Sequence, residues 1–418
     1  MNVRRRRVRG IGVPPPRRRR PVRLGVVGAA LIAGLLAGST IGLLAGGQAP
    51  SSVQRHLEPA NTPTPPRVEP VTPSTLLAWT PGGLPPGLGQ AVTRIRGVER
   101  AVRVMSGTAW LSSSIAADGA RVDVPPAGLA IPLEIGAASP AAYAPFLSPS
   151  DRAMLPALER GEAVLGSTEA GLRHIGTGGI LLFGTERIRV AGIVPDAEIG
   201  AHEVFVSRDT ARKLGIQKDR YLLIEPGPKG SRRHITSRIR ALLPAGLPLR
   251  VRGPGETPFF RQGDAVLPPV LLKKLFGEFA ARPLGGYLVM DGAWVRSHIV
   301  TTEVPIIGKV TCNRAIIPQL RGALSELERE GLAQLIDVKQ YAGCYGPRFV
   351  NRNPEAGISH HAWGVAIDIN AGRNVFGRRP HQDPRLVKIF EQWGFTWGGQ
   401  WLVPDGMHFE FVRFPSGS

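Results

Sequence analysis

Ser359 to Asp368 reads S-H-H-A-W-G-V-A-I-D, two adjacent histidines followed by a strand-like alternation that ends on a carboxylate. Period-two alternation in V-A-I-D-I, 365–369, places Val365, Ile367 and Ile369 on one face and Ala366 with Asp368 on the other. Only a small alanine accompanies the carboxylate, which leaves room around it, and Gly364 permits a tight entry from His361. In M-H-F-E-F-V, 407–412, His408 and Glu410 share one face while Met407, Phe409 and Phe411 share the other. Two such strands can present His361, Asp368 and His408 to one point. Two imidazoles and a carboxylate with a fourth position open make a catalytic zinc set rather than a structural one. Taken singly, the same residues have plainer readings: a histidine near a strand as a surface or core residue, an aspartate at a strand end as a turn cap, His360 as a solvent-exposed neighbour.

The elements that carry these residues belong to a chain of 418 residues, 43% hydrophobic, long enough for two or three domains. The net charge of +20 is unevenly placed, because residues 1–23 hold ten arginines and no acidic residue. Such a tail reads as nucleic-acid binding in some chains. Here it precedes an uncharged run from Leu24 to Gln54, whose apolar core is about the ~20 residues needed to cross a bilayer. We therefore expect a transmembrane helix over 24–47, a basic cytoplasmic tail over 1–23, everything beyond 47 outside the cell membrane, and no nucleic-acid partner. The alternatives are cleavage near G-G-Q-A, 46–49, giving a secreted form, and a buried core helix. Residues 48–85 read as a proline-rich linker that holds the rest away from the membrane. Outside the cytoplasm the two cysteines, Cys312 and Cys344, are expected to form a disulfide; free thiols or metal ligands are the alternative.

Residues 86–265 read as an α/β domain of unknown role. A short helix leads into an alternating strand near V-T-R-I-R-G-V-E-R-A-V-R-V, and S-R-I-R-A-L-L-P-A-G-L-P-L-R-V-R echoes it as a weak internal repeat. Further strands are expected at 187–194 and 202–206, then a helix capped by Ser207 and stopped by Gly215. This region loosely resembles the extracytoplasmic domains of envelope permease complexes, and an envelope protein is its expected partner. A connecting helix at 266–279 leads to a last domain, 284–418. There Pro318 opens a helix with Leu320, Leu324 and Leu327 on one face, and 335–341 is a strand candidate. Asp383 caps a second helix with Leu386, Phe390 and Trp393 inward, and 395–397 and 407–412 close the chain as strands. Helices beside a small antiparallel sheet make this domain, and the fold class, α+β.

The full wording S-x-H-x-x-G-x-A-x-D at 359–368, followed by D-x-x-H at 405–408, resembles the D-alanyl-D-alanine carboxypeptidase family of zinc metallopeptidases, which includes VanY-type enzymes and L-alanyl-D-glutamate endopeptidases. The likeness covers roughly 284–415. It implies one Zn2+ held by His361, Asp368 and His408, with Asp405 as the catalytic carboxylate, and the family spacing selects His361 over His360. Glu410 is the rival base or a carboxylate that orients a ligand. C-Y-G-P-R-F-V-N-R, 344–352, resembles the segment supplying an active-site arginine, with Arg348 the better match and Arg352, like Ser359, placed at the substrate. W-G-G-Q-W, 397–401, is similar to a loop in part of the family. The implied activity is metallopeptidase hydrolysis of peptidoglycan stem peptides, as carboxypeptidase or endopeptidase; the alternative is a non-catalytic cell-envelope binding protein that retains the fold.

Overall fold

The computed structural model describes residues 74–257 and 259–413. The expected cytoplasmic tail, the expected membrane helix at 24–47 and the linker as far as residue 73 lie outside the described residues. Among the described residues no helix is long and apolar enough to cross a membrane.

Ten strands form one large sheet: β1 (Leu76–Trp79), β2 (Val98–Leu111), β3 (Ser113–Ile115), β4 (Ile131–Ala138), β5 (Ala163–Gly166), β6 (Ile180–Phe183), β7 (Glu186–Val194), β8 (Val204–Ser207), β9 (Asp219–Pro226) and β10 (Arg250–Arg252). Their order is β10-β1-β9-β2-β4-β8-β5-β7-β6-β3. Within it β4–β8 and β5–β7 are parallel, and the other neighbours are antiparallel. The expected α/β alternation is thus corrected to a mixed, mainly antiparallel sheet. Helices do intervene between strands, the longest being Arg232–Leu242, but no two strands that a helix joins in sequence lie side by side in the sheet. β6 and β7 are instead joined by a tight turn in which Gly184 takes φ 62°.

A second correction concerns β1, which falls inside the stretch read as linker, 48–85. Its residues L-L-A-W are all buried, and it pairs with β9 on one side and β10 on the other. A four-residue apolar run beside prolines carries no alternation, since both of its faces are covered. The two helix–strand pairs of the weak repeat share one core: Leu88, Val92 and Ile95 from the first pack with Ile235 and Ile239 from the second. The Ser207 cap is present, its hydroxyl accepting from the Thr210 N–H at 3.2 Å.

Beyond the helix Pro269–Phe276 come two hairpins, β11 (Ala281–Leu284) with β12 (Tyr287–Met290) and β13 (Ile299–Val304) with β14 (Gly308–Asn313). The last sheet holds β15 (Ala366–Asp368), β16 (Phe395–Trp397) and β17 (His408–Phe411) in the antiparallel order β15-β17-β16. The helices Ile317–Arg329 and Pro384–Gln392 close over it, burying Leu320, Leu324, Leu327, Leu386, Phe390 and Trp393 with Ile367, Phe409 and Phe411. The helix starts follow the sequence: Pro318 sits in the first turn, and the Asp383 carboxylate accepts from the Arg385 N–H at 2.8 Å. The strand expected at 335–341 is instead a pair of 3-10 turns. Asp337 explains it: its carboxylate accepts from the Lys339 N–H and the Gln340 amide, and its own N–H is taken by Asn370 Oδ1. Side-chain bonds of this kind compete with a strand ladder.

Candidate metal centre

Antiparallel pairing of β15 with β17 sets Asp368 directly opposite His408 and Ala366 opposite Glu410. Side chains opposed in this way lie within about 5.5 Å at Cβ, so register alone brings the first carboxylate and imidazole together. His361 arrives from a single 3-10 turn, His360–Trp363, in which Ser359 Oγ accepts from the His361 N–H at 3.4 Å. Gly364 ends that turn with φ 68°, and a Cβ there would stand 2.7 Å from the Asn313 backbone nitrogen. Only glycine allows the chain to turn so closely against β14.

The donor atoms of His361, Asp368 and His408 lie within 4.8 Å of one another, and all three residues are buried. His361 Nε2 is 3.2 Å from Asp368 Oδ2, and His408 Nδ1 is 3.1 Å from Asp368 Oδ1. The rings of the two histidines meet edge to face at 5.1 Å. His361 Nδ1 donates to the Cys344 carbonyl at 2.7 Å. This fixes the tautomer and leaves Nε2, buried and without a hydrogen-bond partner, as a free lone pair. Such a buried lone pair is one that a divalent cation could take as a ligand. Two imidazoles and one carboxylate, with no fourth protein ligand among the described residues at this cluster, are the donor chemistry of a zinc site that keeps a position for water.

The electrostatics separate the two histidines. Burial holds His361 below the usual imidazole range, outweighing the pull of Asp368, so the ring is neutral. Burial also disfavours charge on His408, but the carboxylates of Asp368 and Glu410 overcome it and push that ring up to about 10. Asp368 stays ionised: burial would raise its pKa, yet the neighbouring imidazoles of His361 and His408 hold it well below the carboxylate range.

Glu410 is fully enclosed. Its Oε2 lies 2.8 Å from His360 Nδ1 and 3.4 Å from His408 Nε2, and its Oε1 accepts from the Val266 N–H at 3.3 Å. It therefore orients the far side of His408. The plain reading of His360 as solvent-exposed is corrected, because its side chain is only 11% exposed and packs on Glu410. The room expected beside Ala366 is filled by Glu410 from the opposite strand.

Asp405 precedes β17 on the tryptophan–glycine loop. Its N–H donates to the Gly398 carbonyl at 2.9 Å, and its own carbonyl accepts from the His408 N–H at 3.2 Å. A Cβ on Gly398 would meet the Asp405 carbonyl oxygen at 2.8 Å. Its buried Oδ1 has no hydrogen-bond partner. Burial pushes this carboxyl up to about 6, with the charge of His408 opposing, near the value that suits proton transfer around neutral pH.

Arg348 reaches the cluster: its guanidinium donates to Ser359 Oγ at 3.3 Å and lies 3.7 Å from Asp368 Oδ2. Arg352 does not. Consecutive positive φ values at Asn351 and Arg352, 51° and 55°, turn the chain, and the Arg352 guanidinium lies over the Tyr287 ring at 5.5 Å. Cys312 and Cys344 form a disulfide with Cα atoms 5.3 Å apart. It ties β14 to the segment that supplies both the Cys344 carbonyl and Arg348. A second carboxylate group, Glu169, Glu203 and Glu278, is already filled by cations: Arg173 binds Glu169 and Glu278, and Lys273 binds Glu203 and Glu278.

Residues 352–411, which include His361, Asp368, Asp405, His408 and Glu410 but not Arg348 or Cys344, match the model of the D-alanyl-D-alanine carboxypeptidase family. No curated protein matches the chain. Among solved structures, the chain is similar to the periplasmic region of MacB from Actinobacillus actinomycetemcomitans, at 9% identity and a TM-score of 0.30, over 43% of this chain and 88% of that one. It is also similar to the extracellular domain of the noncanonic ABC-type transporter YknZ from Gram-positive bacteria, at 12% identity and a TM-score of 0.28, over 40% and 92%.

Proposed function

We propose that the chain is a membrane-anchored, extracytoplasmic zinc peptidase that hydrolyses peptide bonds in peptidoglycan stem peptides. The observation that carries this reading is the convergence of His361, Asp368 and His408 within 4.8 Å, beside a buried, unbonded Asp405 oxygen, inside the segment matched by the carboxypeptidase family model. His361 Nε2, an oxygen of Asp368 and His408 Nδ1 would hold the ion. Bound there, zinc supplies a Lewis acid that polarises the scissile carbonyl and makes water acidic enough to be activated near pH 7.

The remaining work falls to the chain's own side chains. Asp405, ionised above about 6, accepts a proton from the attacking water and delivers it to the nitrogen of the leaving amine. Glu410 receives the His408 Nε2–H and so turns Nδ1 toward the cluster, as the Cys344 carbonyl does for His361. Arg348, held by Ser359, presents its guanidinium to a substrate carboxylate or to the developing oxyanion. The run 24–47 supplies the anchor and 48–73 the tether, and the basic character of the chain favours an anionic wall.

The test is digestion of purified peptidoglycan by the whole extracytoplasmic part of the chain, with and without chelator, read by mass spectrometry of the muropeptides. Chelator-sensitive release of D-alanine identifies a carboxypeptidase, and cleaved stem peptides identify an endopeptidase. No chelator-sensitive product from any stem peptide would leave a non-catalytic envelope protein.

A further inference from the structure

The loop that carries Asp405 is held from outside its own sheet. Leu402 packs its side chain on the core of the large sheet, against the cluster that contains Trp79, Tyr221 and Phe260. Its N–H donates to Asp264 Oδ2 at 2.6 Å. The other oxygen, Asp264 Oδ1, accepts from Arg250 Nη1 and from Arg252 Nη2, each at 2.5 Å. Both arginines lie on β10, the edge strand of the large sheet. Arg250 also reaches the Gln400 carbonyl at 3.4 Å, and Arg252 fixes the Gly263 carbonyl at 2.7 Å. The Asp264 side chain is 6% exposed. Two residues further on, the Val266 N–H binds Glu410.

A carboxylate buried between two guanidiniums and a backbone N–H is a stiff joint, because charge-assisted bonds of this kind are short and about twice as strong as neutral ones. From Leu402 the chain runs only to Asp405, whose N–H is already tied to Gly398. The loop is thus fixed at both ends, by its own glycine and by the edge of the large sheet. Arg250, Arg252, Asp264 and Val266 all lie outside the segment matched by the family model and meet it at Gln400, Leu402 and Glu410.

We propose that Asp264, clasped by Arg250 and Arg252, is a positioning residue for the catalytic carboxylate, so that the edge strand β10 of the large sheet sets the geometry of the peptidase site through Leu402. This rests on the peptidase reading for its kinetic part and stands without it for its structural part. It gives the large sheet a role in catalysis: a partner that shifts β10 changes the placement of Asp405.

The test compares Asp264→Asn and Asp264→Ala with wild type, using Lys218→Gln as a control. Lys218, just before β9 of the large sheet, makes another contact to the last domain, a 2.7 Å pair with Glu355 on the surface. The first readout is hydrogen exchange of the peptide spanning 398–406 in metal-free protein. The second is kcat and KM on muropeptides, with bound zinc measured alongside. In both Asp264 variants exchange at 398–406 is expected to accelerate while β2, β4 and β9 keep their protection. A misplacement of about 1 Å lowers kcat by about 100-fold, so a fall of about 10- to 100-fold is expected, with KM within about twofold and zinc stoichiometry unchanged. Lys218→Gln leaves both readouts at wild-type values. Unchanged exchange at 398–406 in Asp264→Asn and Asp264→Ala, or acceleration spread equally across the large sheet, overturns the proposal. Inactive wild-type protein would defeat the peptidase reading alone, because the exchange arm still decides the clasp.

Discussion

Glu410→Gln isolates the carboxylate that supports the metal ligands. The substitution keeps volume and one carbonyl oxygen but removes the charge. In the native protein the carboxylate faces His360 Nδ1 at 2.8 Å, His408 Nε2 at 3.4 Å and the Val266 N–H at 3.3 Å. A single amide oxygen cannot serve all three, and the amide nitrogen would turn toward a ring nitrogen or a backbone donor. A hydrogen bond to a charged group contributes about 1.5–3 kcal/mol and a neutral one about 0.5–1.5 kcal/mol. The loss on the His408 side is therefore about 1–2 kcal/mol, close to a tenfold change at about 1.4 kcal/mol per decade. Losing the partner of a metal-bound histidine weakens metal binding by about 10- to 100-fold, and the two figures overlap. Competition with a chromophoric chelator measures the zinc affinity, and thermal melting of the metal-free protein checks the fold. We expect a zinc Kd about 10- to 100-fold weaker in a folded variant. Zinc binding within twofold of wild type would refute the supporting role. Complete loss of zinc, as in His408→Ala, would make Glu410 itself a ligand.

Three further outcomes follow from the same geometry. Asp405→Asn keeps the loop bonds of its backbone but removes the proton carrier, so kcat falls by about 100- to 10,000-fold with zinc content unchanged; an active variant would move the proton transfer elsewhere. Replacing Cys312 and Cys344 by serine opens a loop with a sequence separation of 32, which costs about 3–4 kcal/mol of stability and loosens the Cys344 carbonyl that orients His361; calorimetry showing no change in Tm would contradict this. Burial pushes Glu203 up to about 8 from 4.5, against the pull of Lys273. The folded protein then holds a proton that the unfolded chain has released, so the contribution of this group to stability is full below about 4.5 and falls as pH rises toward about 8. Denaturation of Glu203→Gln at about pH 5 and about pH 8 should show less of this decline than wild type, and an identical slope would contradict the assignment.

The sequence carried much of the site because strand alternation assigns faces without knowledge of the partner strand. His408 and Asp368 were legible in that way, and pairing register then brought them opposite one another. Glu410 was visible as a neighbour of His408, but its bond to His360 depends on Ala366 lying across from it, which is a property of the pairing. The resemblance preferred Arg348 but kept Arg352 at the substrate; two positive φ values send the second to Tyr287, and only Asn351, a residue type that tolerates such a φ, hints at them. Asp264 stands in a stretch of glycine and proline with no periodic signal, and its partners Arg250, Arg252 and Leu402 meet it only through tertiary contact. In the fold, caps and prolines marked the helices Ile317–Arg329 and Pro384–Gln392. The mixed order of the large sheet was hidden, because short apolar strands such as β1 and β8 have the same pattern whether their neighbours run parallel or antiparallel.

The most direct measurement of the central claim is the zinc content of the purified protein by elemental analysis, combined with X-ray absorption at the zinc edge. The account predicts one tightly held ion per chain, coordinated by two imidazoles and oxygen donors, and lost in His361→Ala, Asp368→Ala and His408→Ala. A protein that takes up no zinc, or that holds it equally well in all three variants, would contradict it.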